Sequence, residues 1–200
     1  MNVYCVQFDS EWNDKDKNFS TVSALLNQHS IEEESLIVLP EMFATGFCLN
    51  PKLTTENEPD KTKNFLSKLA KQKKSWVIGG MCHPSEKDEM AYNTAVTFNP
   101  SGECISVYRK IHPIPALGED QFHLPGKAVE SLALNSLKFT PAICYDLRFP
   151  ELFRTGLSLG SNLFVVLGCW PKTRIEHWVT LLKARAIENQ AYMIGVNRVG

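Results

Sequence analysis

Two hydrophobic periods alternate along this chain. Short apolar runs rich in strand-favouring residues occupy 2–8, 35–39, 75–82, 91–98, 103–108, 129–134, 137–143, 162–168 and 191–197, and turn-forming residues separate many of them. Each predicts a β-strand. Segments 16–29, 58–73, 150–159 and 173–189 instead predict helices. In the last of these, Trp178, Leu181, Leu182, Ala184 and Ile187 repeat three and four apart, with Arg185 among them, so the inward face is expected to pack on a sheet. Helices and strands alternate at both ends of the chain, around a central succession of strands. That order predicts a layered α/β fold.

Composition narrows the picture. The chain has 200 residues, 44% of them hydrophobic, enough for one sizeable core, and no linker-like stretch or repeat divides it. One domain over 1–200 is expected. A net charge of -1 argues against nucleic acid as a main partner, and Lys68, Lys71, Lys73 and Lys74 find a sufficient reason in the C-terminal end of a helix dipole. The longest apolar stretches, such as 162–170, fall short of the roughly 20 residues a membrane helix needs. Six cysteines, at 5, 48, 82, 104, 144 and 169, contain no C-x-x-C pair and follow no secretory leader, so reduced thiols in the cytoplasm are expected. Cys82 and His83 lack a second pair at zinc-ligand spacing, and no metal is expected. Gly79 and Gly80 do not form a phosphate loop and are expected to let another backbone approach a strand closely.

Candidate chemistry gathers at three strand ends. Cys144 closes the run 137–143 and precedes a helix predicted to start at Pro150. A helix N-terminus favours a thiolate and offers N–H donors to an oxyanion, although a free cysteine is more commonly just a small buried hydrophobe. Glu41 follows the strand ended by Pro40, a placement suited to a general base. Lys110 follows the strand 103–108. A carboxylate beside a thiol raises the thiol pKa, and a lysine there offsets it and can hold an oxyanion. No histidine lies in a segment resembling a triad partner, but a cysteine hydrolase with His112 or His177 as base remains an alternative at this point.

The blocks LPEMFATGF, YRKIHP and AICYDLRFPELF resemble the glutamate, lysine and cysteine motifs of the nitrilase (carbon-nitrogen hydrolase) superfamily. The segment WPKTRIEHWVTLLKARAIENQAYMIGVNRVG is similar to its omega-amidase branch. The resemblance implies a four-layer α-β-β-α sandwich, a triad of Glu41, Lys110 and Cys144, no cofactor, and a homodimer. It implies hydrolysis of the distal amide of 2-oxoglutaramate or 2-oxosuccinamate through a Cys144 thioester, with the Tyr145 N–H beside Lys110 on the oxyanion. Glu119 matches a second family glutamate with a positioning role, and Asp120 is its rival. A far carboxylate on the substrate calls for a cation, assigned to Arg174; Arg148 is closer in sequence to the nucleophile, but its place beside Asp146 and Glu151 suggests a structural ion pair at least as readily. Phe47, Tyr145 and Trp170 are candidate pocket walls. Family members continue beyond the match to 190–198, so the C-terminal strands and tail are expected to be missing. The other expectations are a different amidase, carbamoylase or nitrilase of the superfamily, or an inactive interaction module.

Overall fold

The computed structural model describes residues 1–56, 60–87 and 89–200. It contains two sheets. The first is built from β1 (Val3–Cys5), β2 (Leu36–Val38), β3 (Trp76–Pro84), β4 (Ala91–Phe98) and β5 (Cys104–Arg109), side by side in that order. β1, β2 and β3 run parallel, and β3, β4 and β5 antiparallel. The second sheet has the order β6 (Leu132–Leu134), β7 (Leu137–Ile143), β8 (Leu163–Gly168), β9 (Tyr192–Asn197), with β7, β8 and β9 parallel.

Strand alternation sorts the first sheet into two faces. Leu36, Val38, Ile78, Ala95 and Tyr108 turn toward the second sheet and share a core with Phe139, Ile143 and Val165. Their neighbours Ile37, Leu39, Val77 and Val96 turn the other way, onto Val22, Leu26, Leu66 and Leu69 of α1 (Lys15–Asn27) and α3 (Lys61–Lys73). The far face of the second sheet is covered by α4 (Pro150–Ser158) and α5 (Ile175–Asn189) through Leu152, Phe153 and Trp178. The expected α-β-β-α sandwich is therefore the observed one. A short α2 (Pro51–Thr54) was not predicted; four residues are too few to show a helical period.

β4 and β7 match the predicted bounds, whereas other elements differ at their ends. β1 stops at Cys5 because its partner β2 stops at Val38, and one further bond, Val6 N–H to Val38 C=O, closes the ladder. Residues 129–131 lie outside β6, whose pairing with β7 begins at Leu132 opposite Phe139. The helix predicted over 58–73 starts at Lys61 on an Asp60 cap, and positions 58 and 59 of that expectation lie outside the described residues. Another unpredicted element falls next to Cys144. The segment 144–148 forms a 3₁₀ turn of its own before α4 begins, and Cys144 opens it with φ 46°.

Candidate active site

The ends of β2, β5 and β7 converge at one rim, as do the loops that follow them. Glu41 sits where the chain leaves β2, and the approach of its backbone to β3 requires glycine: a Cβ on Gly80 would lie 2.6 Å from Glu41 Cα and 2.6 Å from Met42 N. Met42 turns the chain with φ 46°. Lys110 follows β5; its N–H donates to the Asn93 carbonyl at 2.8 Å, and its own carbonyl accepts from Gly126 N–H at 2.7 Å. Both residues are only 1% exposed and Glu119 is fully buried, so none of them is the solvated rim charge its sequence position suggests.

Together they form one polar cluster. Lys110 Nζ donates to Glu41 Oε1 at 3.0 Å and to Glu119 Oε2 at 2.8 Å and Oε1 at 3.0 Å. Asn93 Nδ2 donates to Glu41 Oε1 at 2.7 Å and to Glu119 Oε1 at 2.8 Å. The remaining carboxylate oxygens are also engaged: Glu41 Oε2 accepts from Cys169 N–H at 2.8 Å and Glu119 Oε2 from Ile114 N–H at 2.7 Å. Burial pushes the Lys110 pKa down, but the charges of Glu41 and Glu119 outweigh it and hold the ammonium above the ordinary lysine range. Glu119 shows the converse balance: burial raises its pKa, and Lys110 with the Asn93 and Ile114 donors brings it below the usual value. Between the two acids of the loop, Glu119 is the one in the cluster; Asp120 is exposed.

Cys144 is 8% exposed, with the Glu41 carboxylate and the Lys110 ammonium as its charged neighbours. Burial, followed by the Glu41 charge, raises its pKa well above the ordinary thiol value, and Lys110 opposes this without reversing it. This balance favours the neutral thiol, because desolvation outweighs any favourable helix end. Its turn is held by Asp146, which accepts from Ile143 N–H at 3.0 Å, Tyr108 O–H at 2.7 Å and His112 N–H at 3.0 Å.

A cavity of about 300 Å³ opens over Cys144, lined by Phe47, Tyr145, Trp170 and Arg174, all four of the expected substrate-binding residues, and by Arg148 and Cys169. Among the described residues Arg148 forms no ion pair with Asp146 or Glu151. Its guanidinium lies 4.8 Å from the Trp170 ring centre and 5.9 Å from that of Tyr145, and so faces the cavity. Asp146 is committed to the nucleophile turn instead. His112 pairs with Asp146 through Nδ1 at 2.8 Å and His177 contacts Arg148 at 3.3 Å; the ionisable groups acting most strongly on the thiol are Glu41 and Lys110. Among the described residues no three His, Cys, Asp or Glu side chains form a set that could hold a metal ion, and no helix is long and apolar enough to cross a membrane.

Two supporting residues escaped the sequence analysis. Asn93 is unusual in a strand otherwise made of strand-favouring or small residues, a signal available from sequence alone. Asn197 clamps Trp170 at both backbone groups, accepting its N–H at 2.6 Å and donating to its carbonyl at 2.9 Å; that pairing of β9 with the end of β8 left no local sequence mark.

Comparison with known proteins agrees with this geometry. The family model described as carbon-nitrogen hydrolase matches residues 2–200. The chain is 36% identical over 208 residues to a 2-oxoglutaramate amidase of Paenarthrobacter nicotinovorans, covering 98% of this chain and 69% of that protein. It is 37% identical over 191 residues to an omega-amidase of Yersinia enterocolitica, covering 94% and 71%. Among solved structures, a CN-hydrolase superfamily protein of Xanthomonas campestris superposes with TM-score 0.90 at 28% identity, over 99% of this chain and 76% of that one.

Proposed function

The chain belongs to the carbon-nitrogen hydrolase family, and from that premise we propose that it is an omega-amidase releasing ammonia from the distal amide of small 2-oxo acid amides, such as 2-oxoglutaramate and 2-oxosuccinamate, through a thioester on Cys144. It is a hydrolase of carbon-nitrogen bonds, with amidases among its relatives. One observation supports the mechanism above the others: Lys110 is bonded to two buried carboxylates, and it and Glu41 are the charged neighbours of the Cys144 thiol, which lines a small cavity.

Charge conservation explains why a neutral thiol suits this site. At rest, Glu41 and Glu119 are anionic, Lys110 is cationic and Cys144 is neutral, a net single negative charge in a dry environment. As Sγ attacks the amide carbon, its proton passes to Glu41 while negative charge appears on the carbonyl oxygen, so the net charge is unchanged. A free thiolate would have added a second negative charge to the buried site. Lys110, fixed as an ammonium, and the Tyr145 N–H stabilise that oxygen. Glu41 then gives its proton to the departing ammonia, leaving the thioester. In the second half it deprotonates water, which attacks the thioester, and the proton returns to sulfur. Glu119 holds Lys110 in place throughout. Arg174 and Arg148 at the cavity wall supply cations for the far carboxylate.

The test is ammonia release from 2-oxoglutaramate, glutamine and a nitrile, by the unaltered chain and by Cys144→Ala. Turnover of 2-oxoglutaramate above the other two, abolished in Cys144→Ala, is the expected result. Preference for glutamine or the nitrile assigns another activity of the same family, and turnover surviving in Cys144→Ala removes the nucleophile.

A further inference from the structure

Asn93 occupies a place that no motif of the sequence marks. Its backbone carbonyl accepts the Lys110 N–H at 2.8 Å, and its side chain amide reaches both acids flanking the Lys110 ammonium, Glu41 Oε1 at 2.7 Å and Glu119 Oε1 at 2.8 Å. One residue therefore touches both buried carboxylates and the backbone of the lysine between them. The residue is 1% exposed, and its Oδ1 has no hydrogen-bond partner among the described residues. A buried acceptor without a partner is costly and rare. Turning the amide over to find one would set Oδ1 against two carboxylates, so the two donors fix the orientation and account for the unpartnered oxygen.

The direction of these bonds matters for the reaction. Asn93 and Lys110 both engage Oε1 of Glu41, whereas Oε2 accepts from the N–H of Cys169, a residue that lines the same cavity as Cys144. We propose that Asn93 is a positioning residue: by tying Glu41 Oε1 to Glu119 across the lysine, it keeps Glu41 Oε2 turned toward Cys144 for proton transfer. This rests on the amidase reading of the same site. Asn93 is absent from the cavity wall, so it acts on the proton-transferring carboxylate and not on substrate binding.

The test compares Asn93→Leu, similar in size without a donor, with Asn93→Asp, which regains one O–H donor when protonated. Steady-state kinetics on 2-oxoglutaramate, melting temperature, and the rate of Cys144 alkylation by iodoacetamide, located by peptide mass spectrometry, are recorded for each. In Asn93→Leu, kcat is expected to fall roughly 10- to 100-fold, the scale of a misplaced reacting group, with KM changed less than about threefold and the alkylation rate altered. In Asn93→Asp the deficit relative to the unaltered chain narrows as pH falls from about 8 to about 6, because the buried acid gains its proton and with it a donor. A folded Asn93→Leu with kcat within about twofold of the unaltered chain and unchanged alkylation overturns the proposal. So does an equal, pH-independent loss in both variants, or failure of both to fold, since each marks a purely structural role. If the unaltered chain releases no ammonia, the amidase reading falls, and the alkylation comparison alone decides the role of Asn93.

Discussion

Replacing Lys110 by methionine removes one cation from between two carboxylates that water cannot reach. The lysine side chain is 1% exposed and both carboxylate side chains 0%, so neither acid can recover its lost partner from solvent. Breaking a buried ion pair by removing one member costs about 3–5 kcal/mol, which for a chain of this size lowers the melting temperature by roughly 10 °C. The loss carries a distinctive pH dependence. In the unaltered protein the Glu119 pKa lies below the ordinary carboxylate value. Its contribution is therefore present above the unfolded value of about 4.3 and lost as pH falls through the lower folded value. Without Lys110, burial, which is the largest influence on Glu119, is no longer countered by a cation. The folded pKa then rises above the unfolded one, and the contribution reverses: present below about 4.3, lost as pH climbs through the raised value. Urea unfolding of both proteins at about pH 5 and about pH 7.5 measures this, and the difference between them cancels groups common to both, such as Asp60, whose pKa burial and the neighbouring Glu56 push up to about 6. Lys110→Met should be destabilised by about 3–5 kcal/mol near neutrality and by at least about 1 kcal/mol less at the lower pH. A deficit under about 1 kcal/mol, or one that grows on acidification, refutes the buried charge cluster.

Gly80→Ala drives a methyl into the Glu41 and Met42 backbone; stability should fall by about 1–3 kcal/mol and ammonia release with it, whereas wild-type values would mean that the loop need not lie so close. Arg148→Ala or Arg174→Ala should raise KM for 2-oxoglutaramate roughly 10- to 100-fold while sparing an amide without the far carboxylate, and equal effects on both substrates would deny either arginine a carboxylate-binding role. Because burial and Glu41 raise the Cys144 pKa, its alkylation in the substrate-free enzyme should be slow at neutral pH and climb only above about pH 9; rapid labelling at neutrality would indicate a resting thiolate.

Much of the fold could be seen in the sequence where local and tertiary preferences agree. β4 and β7 have their predicted bounds, 91–98 and 137–143, because each is a well-formed apolar strand with paired neighbours. Edges were less legible. β1 ends when its neighbour ends, and the beginning of β6 depends on where β7 offers a partner, neither of which is encoded locally. The site divides in the same way. Glu41, Lys110 and Cys144 were marked by their strand-end positions and by resemblance, yet their burial, and so the neutral state of the thiol, depends on two sheets closing over them. Arg148 allows two readings from sequence, because its neighbours Asp146 and Glu151 suggest an ion pair as readily as a site role, while in the structure the 3₁₀ turn points Asp146 toward Tyr108 and His112 and leaves the arginine at the cavity. Asn93 gained significance only once the ends of three strands met.

The most direct measurement is acid quenching of the enzyme during turnover of 2-oxoglutaramate, followed by peptide mass spectrometry and hydroxylamine treatment. An acyl group on Cys144 that hydroxylamine removes, and that is absent from Cys144→Ala, is the expected result. Turnover with no such adduct on any cysteine, or an adduct on Cys48 or Cys169 in place of Cys144, would contradict catalysis by the Glu41, Lys110 and Cys144 cluster.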